Sequence, residues 1–170
     1  VPVVADPVMI AKGGASLLAE AAQAALISRL LPVSTLITPN IPEAEVLSGK
    51  AILNRDDMTV AAHALLAMGP GAVLLKGGHM QDDETVADLL LTGAGADEFF
   101  AAPRIKTPNT HGTGCTLASA IACGIAQGLS IPDAVIRARA YVREAIRTNP
   151  GFGHGHGPLN HAVTVSEFNQ

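Results

Sequence analysis

Short apolar runs alternate with longer stretches of helical periodicity along this chain. Val1–Ala5 reads as a strand ending in Asp6-Pro7, and Lys12-Gly13-Gly14 breaks the chain. Ala15–Leu31 repeats Ala and Leu at helical spacing and stops at Pro32. Thr35–Thr38 is a second short strand, closed by Pro39-Asn40. Pro42–Ser48 predicts a short helix with proline at its opening, acids in its first turn and Gly49 at its end. Asp56 or Asp57 is expected to cap a helix through Met68, which Gly69-Pro70-Gly71 ends. Ala72–Leu75 is a strand running into Lys76-Gly77-Gly78-His79. Val86–Leu91 and Glu98–Ala102 resemble a hairpin about the turn Thr92–Ala96. Gly112–Gly128 and Ile131–Thr148 are the last helices, the second capped by Ser130 or Asp133, and 150–158 is a Pro/Gly/His loop.

Strands alternating with helices predict an α/β fold with a mainly parallel sheet, helices on both faces and an antiparallel element near one edge. Ligands of such sheets bind beyond the C-terminal ends of the strands. Asp6, Asn40, Glu43, Lys76 and the loop 109–115 each follow a strand, so the polar groups gather where a ligand is expected.

Composition narrows the function. At 170 residues the chain fits one domain, 1–170, with a real core. Aromatic residues make up 3% and the formal charge is −4. Both argue against a nucleic-acid partner, since stacking faces and a basic surface are lacking. Cys115 and Cys123 fall in one predicted helix, about 12 Å apart along its axis, too far for a disulfide. A reducing, cytoplasmic setting is the natural reading. No run has the length of a membrane span and no signal peptide is visible. The first residue is Val within a strand-like run, so N-terminal strands are expected to be missing from this sequence.

The richest stretch is Thr107-Pro-Asn-Thr-His-Gly-Thr-Gly-Cys-Thr116, directly before an apolar helix. First-turn N–H groups of a helix lack internal partners, and the dipole adds partial positive charge, so such a terminus suits an anion. Glycines let the ligand approach the backbone, and the same field favours a thiolate at Cys115. Phosphoryl transfer needs positive charge at the phosphates, a bridging metal and a base beside the accepting hydroxyl. Gly112, Thr113 and Gly114 are candidates for the anion hole and Cys115 for the base. Asp6 and Glu43 are hard oxygen donors suited to Mg²⁺, and Lys76 at the end of an apolar strand calls for an anion. Plainer readings stand beside these. Asp6 before Pro7 can open a turn, and Glu43 can be a first-turn acid. Lys76 can be a solvated strand end, and Cys115 a small buried apolar residue. Cys123 is expected to be such a residue, and His63 to be partly buried or solvated. His154-Gly-His156 with His161 is a poor metal site, because its glycines preorganise nothing; a loop lining a nucleotide pocket is preferred.

Asp6-Pro-Val-Met9, Thr38-Pro-Asn-Ile-Pro-Glu-Ala-Glu45, Leu75-Lys-Gly-Gly-His79 and Asn109-Thr-His-Gly-Thr-Gly-Cys-Thr116 together resemble the hydroxymethylpyrimidine/phosphomethylpyrimidine kinases of thiamine biosynthesis, in the ribokinase-like superfamily. The resemblance runs in order from Val1 to about His161. It implies ATP- and Mg²⁺-dependent phosphorylation of a pyrimidine alcohol and then of its monophosphate, and a homodimer. It implies that Cys115 is the base, that Gly112–Gly114 form the anion hole and that Asp6 and Glu43 serve the Mg²⁺–phosphate region. Lys76 is implied at the nucleotide phosphates, and Asn40, Asn109 and Thr110 in binding the nucleotide. Gly155 and Gly157, in the loop Gly153–Pro158, are implied near the adenine, and Val8 beside the pyrimidine. Cys115 stands where sugar kinases typically carry Asp, and some pyridoxal kinases share the Cys. A vitamin B6 kinase is therefore the alternative, and a non-catalytic nucleotide-binding module a second one. The family's N-terminal third, with much of the acceptor pocket, is not in this sequence, so the 170 residues alone are expected to be inactive.

Overall fold

The computed structural model describes residues 1–9, 19–80, 84–93, 95 and 97–165. They fall in two compact units, Val1–Arg104 and Ile105–Gln170.

The first unit is built on a sheet in the order β1 (Val4–Ala5), β2 (Leu36–Ile37), β3 (Ala72–Leu75), β4 (Thr85–Thr92) and β5 (Asp97–Pro103). β1, β2 and β3 run parallel, while β3–β4 and β4–β5 are antiparallel. The sheet among the described residues is therefore mixed, parallel from β1 to β3 with the expected antiparallel element at one edge. The hairpin read from Val86–Leu91 and Glu98–Ala102 is long and contributes two antiparallel pairings, while β1 and β2 have two residues each. β3 is buried at all four positions, which explains its unbroken apolar run.

The expected helix Ala15–Leu31 is described from its later part onward. It runs as α1 (Glu20–Ala25), widens to a π-helical turn at Leu26–Leu30 and ends in a 3-10 turn, Leu31–Val33, that contains Pro32. The break Lys12-Gly13-Gly14 lies outside the described residues, as do Ala94 and Ala96 of the hairpin turn. α2 (Ile41–Ser48) opens after Asn40 and closes at Gly49. α3 (Arg55–Leu66) is capped by Asn54, not by Asp56 or Asp57. Asp57 sits three residues on and its carboxylate accepts from the Asn54 N–H in return, which completes a capping box. Ile37, Leu47, Met58, Leu65, Leu75 and Leu89 belong to the core of this unit.

The second unit contains α4 (Thr113–Ala126) and α5 (Ile131–Arg147). Ser130 caps α5, as its position suggested. α4 buries Leu117, Ala118, Ile121 and Gly124, a stripe at helical spacing. Cys115 and Cys123 lie off that stripe and are exposed thiols. The expectation that Cys123 is a small buried residue is thus corrected, and the same reading of Cys115 falls. No helix among the described residues is long and apolar enough to cross a membrane.

Candidate active site

Three strand ends of the first unit carry its candidate residues. The chain leaves β1 at Asp6, and the Val8 N–H donates back to the Asp6 carbonyl at 2.8 Å. Asp6 Oδ1 accepts from Thr38 Oγ1 at 2.9 Å and from Lys76 Nζ at 2.8 Å. The Asp6 and Lys76 side chains are 14% and 13% exposed, so the pair is mostly shielded and each charge depends on the other. Asp6 and Lys76 thus stand together, beyond both the turn-opening and the solvated-end readings. Lys76 reaches this place because its N–H donates to the Pro39 carbonyl at 2.8 Å, in register with Asn40.

Asn40 and Glu43 cap α2 reciprocally. The Glu43 N–H donates to Asn40 Oδ1 at 2.9 Å, and the Asn40 N–H donates to Glu43 Oε2 at 2.8 Å. Glu43 is buried, and burial raises its pKa above the ordinary carboxylate value. The Asn40 backbone N–H, Lys76 and the Met9 backbone N–H oppose that shift, while the Asp6 charge adds to it. Glu43 therefore senses both members of the Asp6–Lys76 pair. Val8 is exposed beside them in sequence, whereas Met9 is buried.

In the second unit the site residues are arranged by backbone. Gly112, the residue before α4, has φ 82°, a left-handed conformation that side-chain-bearing residues adopt only with strain. Thr113 Oγ1 donates to the Thr110 carbonyl at 2.8 Å, and Thr116 Oγ1 donates to the Gly112 carbonyl at 2.8 Å. Both threonines are thereby tied to the loop, and Gly112, Thr113, Gly114 and Cys115 form the cap and first turn of a 14-residue helix. Cys115 opens onto a groove of about 660 Å³ between α4 and α5, whose walls include Ser119, Cys123, Tyr141 and His161.

The glycine-rich loop joins the same loop from the other side. Asn109 Oδ1 accepts from the Gly157 N–H at 3.0 Å, and Asn109 Nδ2 donates to Asn149 Oδ1. The His111 N–H donates to the Gly157 carbonyl at 3.3 Å, and His156 Nδ1 lies 3.3 Å from the Pro108 carbonyl. Asn109 is thus a strut between the loop 107–111, the loop at Gly157 and the end of α5. Gly155 is exposed. On α5, burial and the neighbouring Arg143 lower the Arg139 guanidinium to about 10.

Sequence reasoning missed Thr38, Asn149 and Arg139. A hydroxyl two residues before Asn40 was a usable signal for Thr38; Asn149 and Arg139 had none beyond being polar.

A phosphomethylpyrimidine kinase model matches residues 1–160. The chain belongs to the phosphomethylpyrimidine kinase family. It is 48% identical over 159 residues to the hydroxymethylpyrimidine/phosphomethylpyrimidine kinase of Bacillus subtilis, covering 94% of this chain and 58% of that protein. It is 49% identical over 165 residues to the thiamine biosynthesis bifunctional protein ThiED of Geobacter sulfurreducens, covering 97% of this chain and 33% of that protein. Among solved structures, the phosphomethylpyrimidine kinase of Clostridium difficile superposes with TM-score 0.71 at 41% identity, over 85% of this chain and 57% of that one. The Staphylococcus aureus pyridoxal kinase in complex with AMP-PCP superposes with TM-score 0.85 at 34% identity, over 94% and 57%. The fold is therefore that of the ribokinase-like vitamin kinases, as the motifs implied. The chain spans at most about three-fifths of the length of these relatives.

Proposed function

We propose that the protein is an ATP-dependent kinase acting on the hydroxymethyl group of hydroxymethylpyrimidine and on the resulting monophosphate. The observation that carries this reading is the start of α4. A left-handed Gly112 turns the chain into a helix whose first turn presents an exposed Cys115 thiol, within a chain of the phosphomethylpyrimidine kinase family.

In this reaction the hydroxymethyl oxygen attacks the γ-phosphorus of ATP. The P–O bond to ADP breaks as the new one forms, and the hydroxyl proton passes to the Cys115 thiolate. Backbone N–H groups from Gly112 to Cys115 stabilise the charge on the transferred phosphoryl. Lys76 would neutralise phosphate charge, and Asn40, Asn109 and Thr110 are further candidates for binding the nucleotide. The exposed Gly155 would lie against the adenine and Val8 against the acceptor ring, while the buried Gly157 holds this loop to Asn109.

Asp6 and Glu43 would be the carboxylates that hold Mg²⁺. Mg²⁺ is usually held by one or two carboxylates, water and substrate phosphates rather than by a cage of side chains. Asp6 commits Oδ1 to Lys76 and Thr38, and Glu43 already accepts backbone N–H groups. Among the described residues no group of three or more His, Cys, Asp or Glu is placed to hold a metal ion. When bound, the ion would neutralise oxygens of the β- and γ-phosphates.

One observation favours a second reading, pyridoxal phosphorylation. Pyridoxal kinases of known structure superpose with TM-scores up to 0.86, above the 0.71 of the phosphomethylpyrimidine kinase. The two are separated by assaying the complete protein with hydroxymethylpyrimidine, its monophosphate and pyridoxal. Faster turnover of the two pyrimidines is expected. Phosphorylation of pyridoxal alone would replace the first reading with the second, and turnover of none would leave a nucleotide-binding module.

A further inference from the structure

Asp88 is a buried acid that the proposed chemistry does not use. It interrupts the apolar strand β4, and a buried carboxylate is costly unless its oxygens are matched by donors. The Gly77 N–H donates to Asp88 Oδ1 at 2.9 Å, in a buried contact. The register of β3 with β4 explains the match. Leu75 is opposite Leu89, so the next residue would face Asp88 if the ladder continued. Instead the Lys76 N–H turns to the Pro39 carbonyl on the other side, and Gly77 is caught by the Asp88 side chain. A Cβ on Gly77 would lie 1.8 Å from the Ala87 carbonyl oxygen, so glycine alone fits this crossing.

A second clamp follows directly. Arg104 Nη1 donates to the Gly78 carbonyl at 3.0 Å, and Nη2 donates to the Met80 carbonyl at 3.2 Å. The Arg104 N–H itself donates to the Glu84 carbonyl at 2.8 Å, which anchors the arginine at the end of β5. The Met80 N–H closes the turn onto the Gly77 carbonyl at 3.0 Å. A long flexible lysine reaches one carboxylate at 2.8 Å most readily when the peptides on both sides of it are fixed.

We infer that Asp88 and Arg104 are positioning residues for Lys76, fixing the Lys76–Met80 segment so that the lysine ammonium is held ready for a phosphate group. The phosphate part of this inference rests on the role of Lys76 proposed above, whereas the positioning part does not. Two measurements on the complete protein separate them. The first is the NMR signal of the Lys76 side-chain ammonium, assigned by its loss in Lys76→Met. Asp88→Ala is expected to move this signal to the position of a solvated lysine. Asp88→Asn is expected to keep it, because the amide oxygen accepts the same N–H. Arg104→Gln, at a less buried position, is expected to move it in the same direction and serves if Asp88→Ala does not fold. An unchanged signal in the folded Asp88→Ala or Arg104→Gln protein would overturn the inference.

The second measurement is ATP kinetics. Asp88→Ala is expected to raise the ATP KM at least about tenfold, the scale of one charge-assisted hydrogen bond, with a much smaller change in kcat. The same substitution made in Lys76→Met is expected to add nothing. Full additivity in that background would mean general damage rather than positioning. An ATP KM unaffected by Lys76→Met would remove the phosphate role of Lys76 and leave positioning to be judged by the ammonium signal.

Discussion

Around Asp6, charged side chains hold one another; around Cys115, a left-handed glycine and neutral side chains hold the backbone. In the first unit, Asp6, Thr38 and Lys76 share one carboxylate oxygen, and Asn40 and Glu43 cap one helix reciprocally. Every polar group there is oriented by another, with the ion pair shielded from water. In the second unit the decisive feature is a glycine dihedral, and the candidate nucleophile-activating thiol is exposed. The difference suits two tasks. Charges that grip phosphate must be preorganised and mutually neutralised while they wait. A proton acceptor must stay accessible to a substrate that comes and goes.

The contrast breaks first at Gly112. Gly112→Val is expected to lower kcat by about 100-fold or more, the scale of losing an oxyanion donor. It should also destabilise the protein by about 1–2 kcal/mol through left-handed strain, as read by urea unfolding. Wild-type activity in this variant would show that the turn is only structural. Lys76→Met comes next. Removing one member of a mostly shielded pair is expected to cost about 1–3 kcal/mol in stability, measured by denaturation, because Asp6 loses a charged partner.

Glu43 sharpens the comparison through pH. Burial disfavours the Glu43 carboxylate and raises its folded-state pKa, so the protonated carboxyl group favours folding, most fully below the ordinary Glu range. That contribution is lost as pH rises from the unfolded pKa through the raised folded one. Asp6 acts in the same direction as burial, while the Lys76 charge opposes both. Glu43→Gln is expected to flatten this part of the stability–pH profile, followed by thermal melts across the carboxylate range and above it. Asn54→Ala gives the smallest effect and serves as a control. Losing that cap costs about 1 kcal/mol, with no change in KM or kcat.

The fold was legible where burial dictates composition. Ala72–Leu75 is apolar throughout because β3 is buried at every position, and Leu89–Leu91 of β4 is apolar for the same reason. Helix starts were harder to read. Asn54 and Asp57 have the capping-box spacing, in which an acid at the third position passes from sequence alone for the cap itself. The same spacing in Asn40 and Glu43 was read as ligands, although both side chains also close a helix. The Asp6–Lys76 pair was half legible: a cation ending an apolar strand demands an anion, but pairing across 70 residues depends on the sheet order. Asp88 left only a faint mark, one acid inside Val-Ala-Asp-Leu-Leu, and its contact with the Gly77 backbone N–H is one that no sequence displays.

The most direct test is phosphoryl transfer to hydroxymethylpyrimidine by the complete protein with Cys115→Ala, alongside its affinity for a nucleotide. The expected result is a kcat reduced by about 100- to 10,000-fold with nucleotide affinity unchanged, since only the proton acceptor is lost. Turnover at the wild-type rate would contradict the assignment of Cys115 as the base and with it the division of labour drawn above.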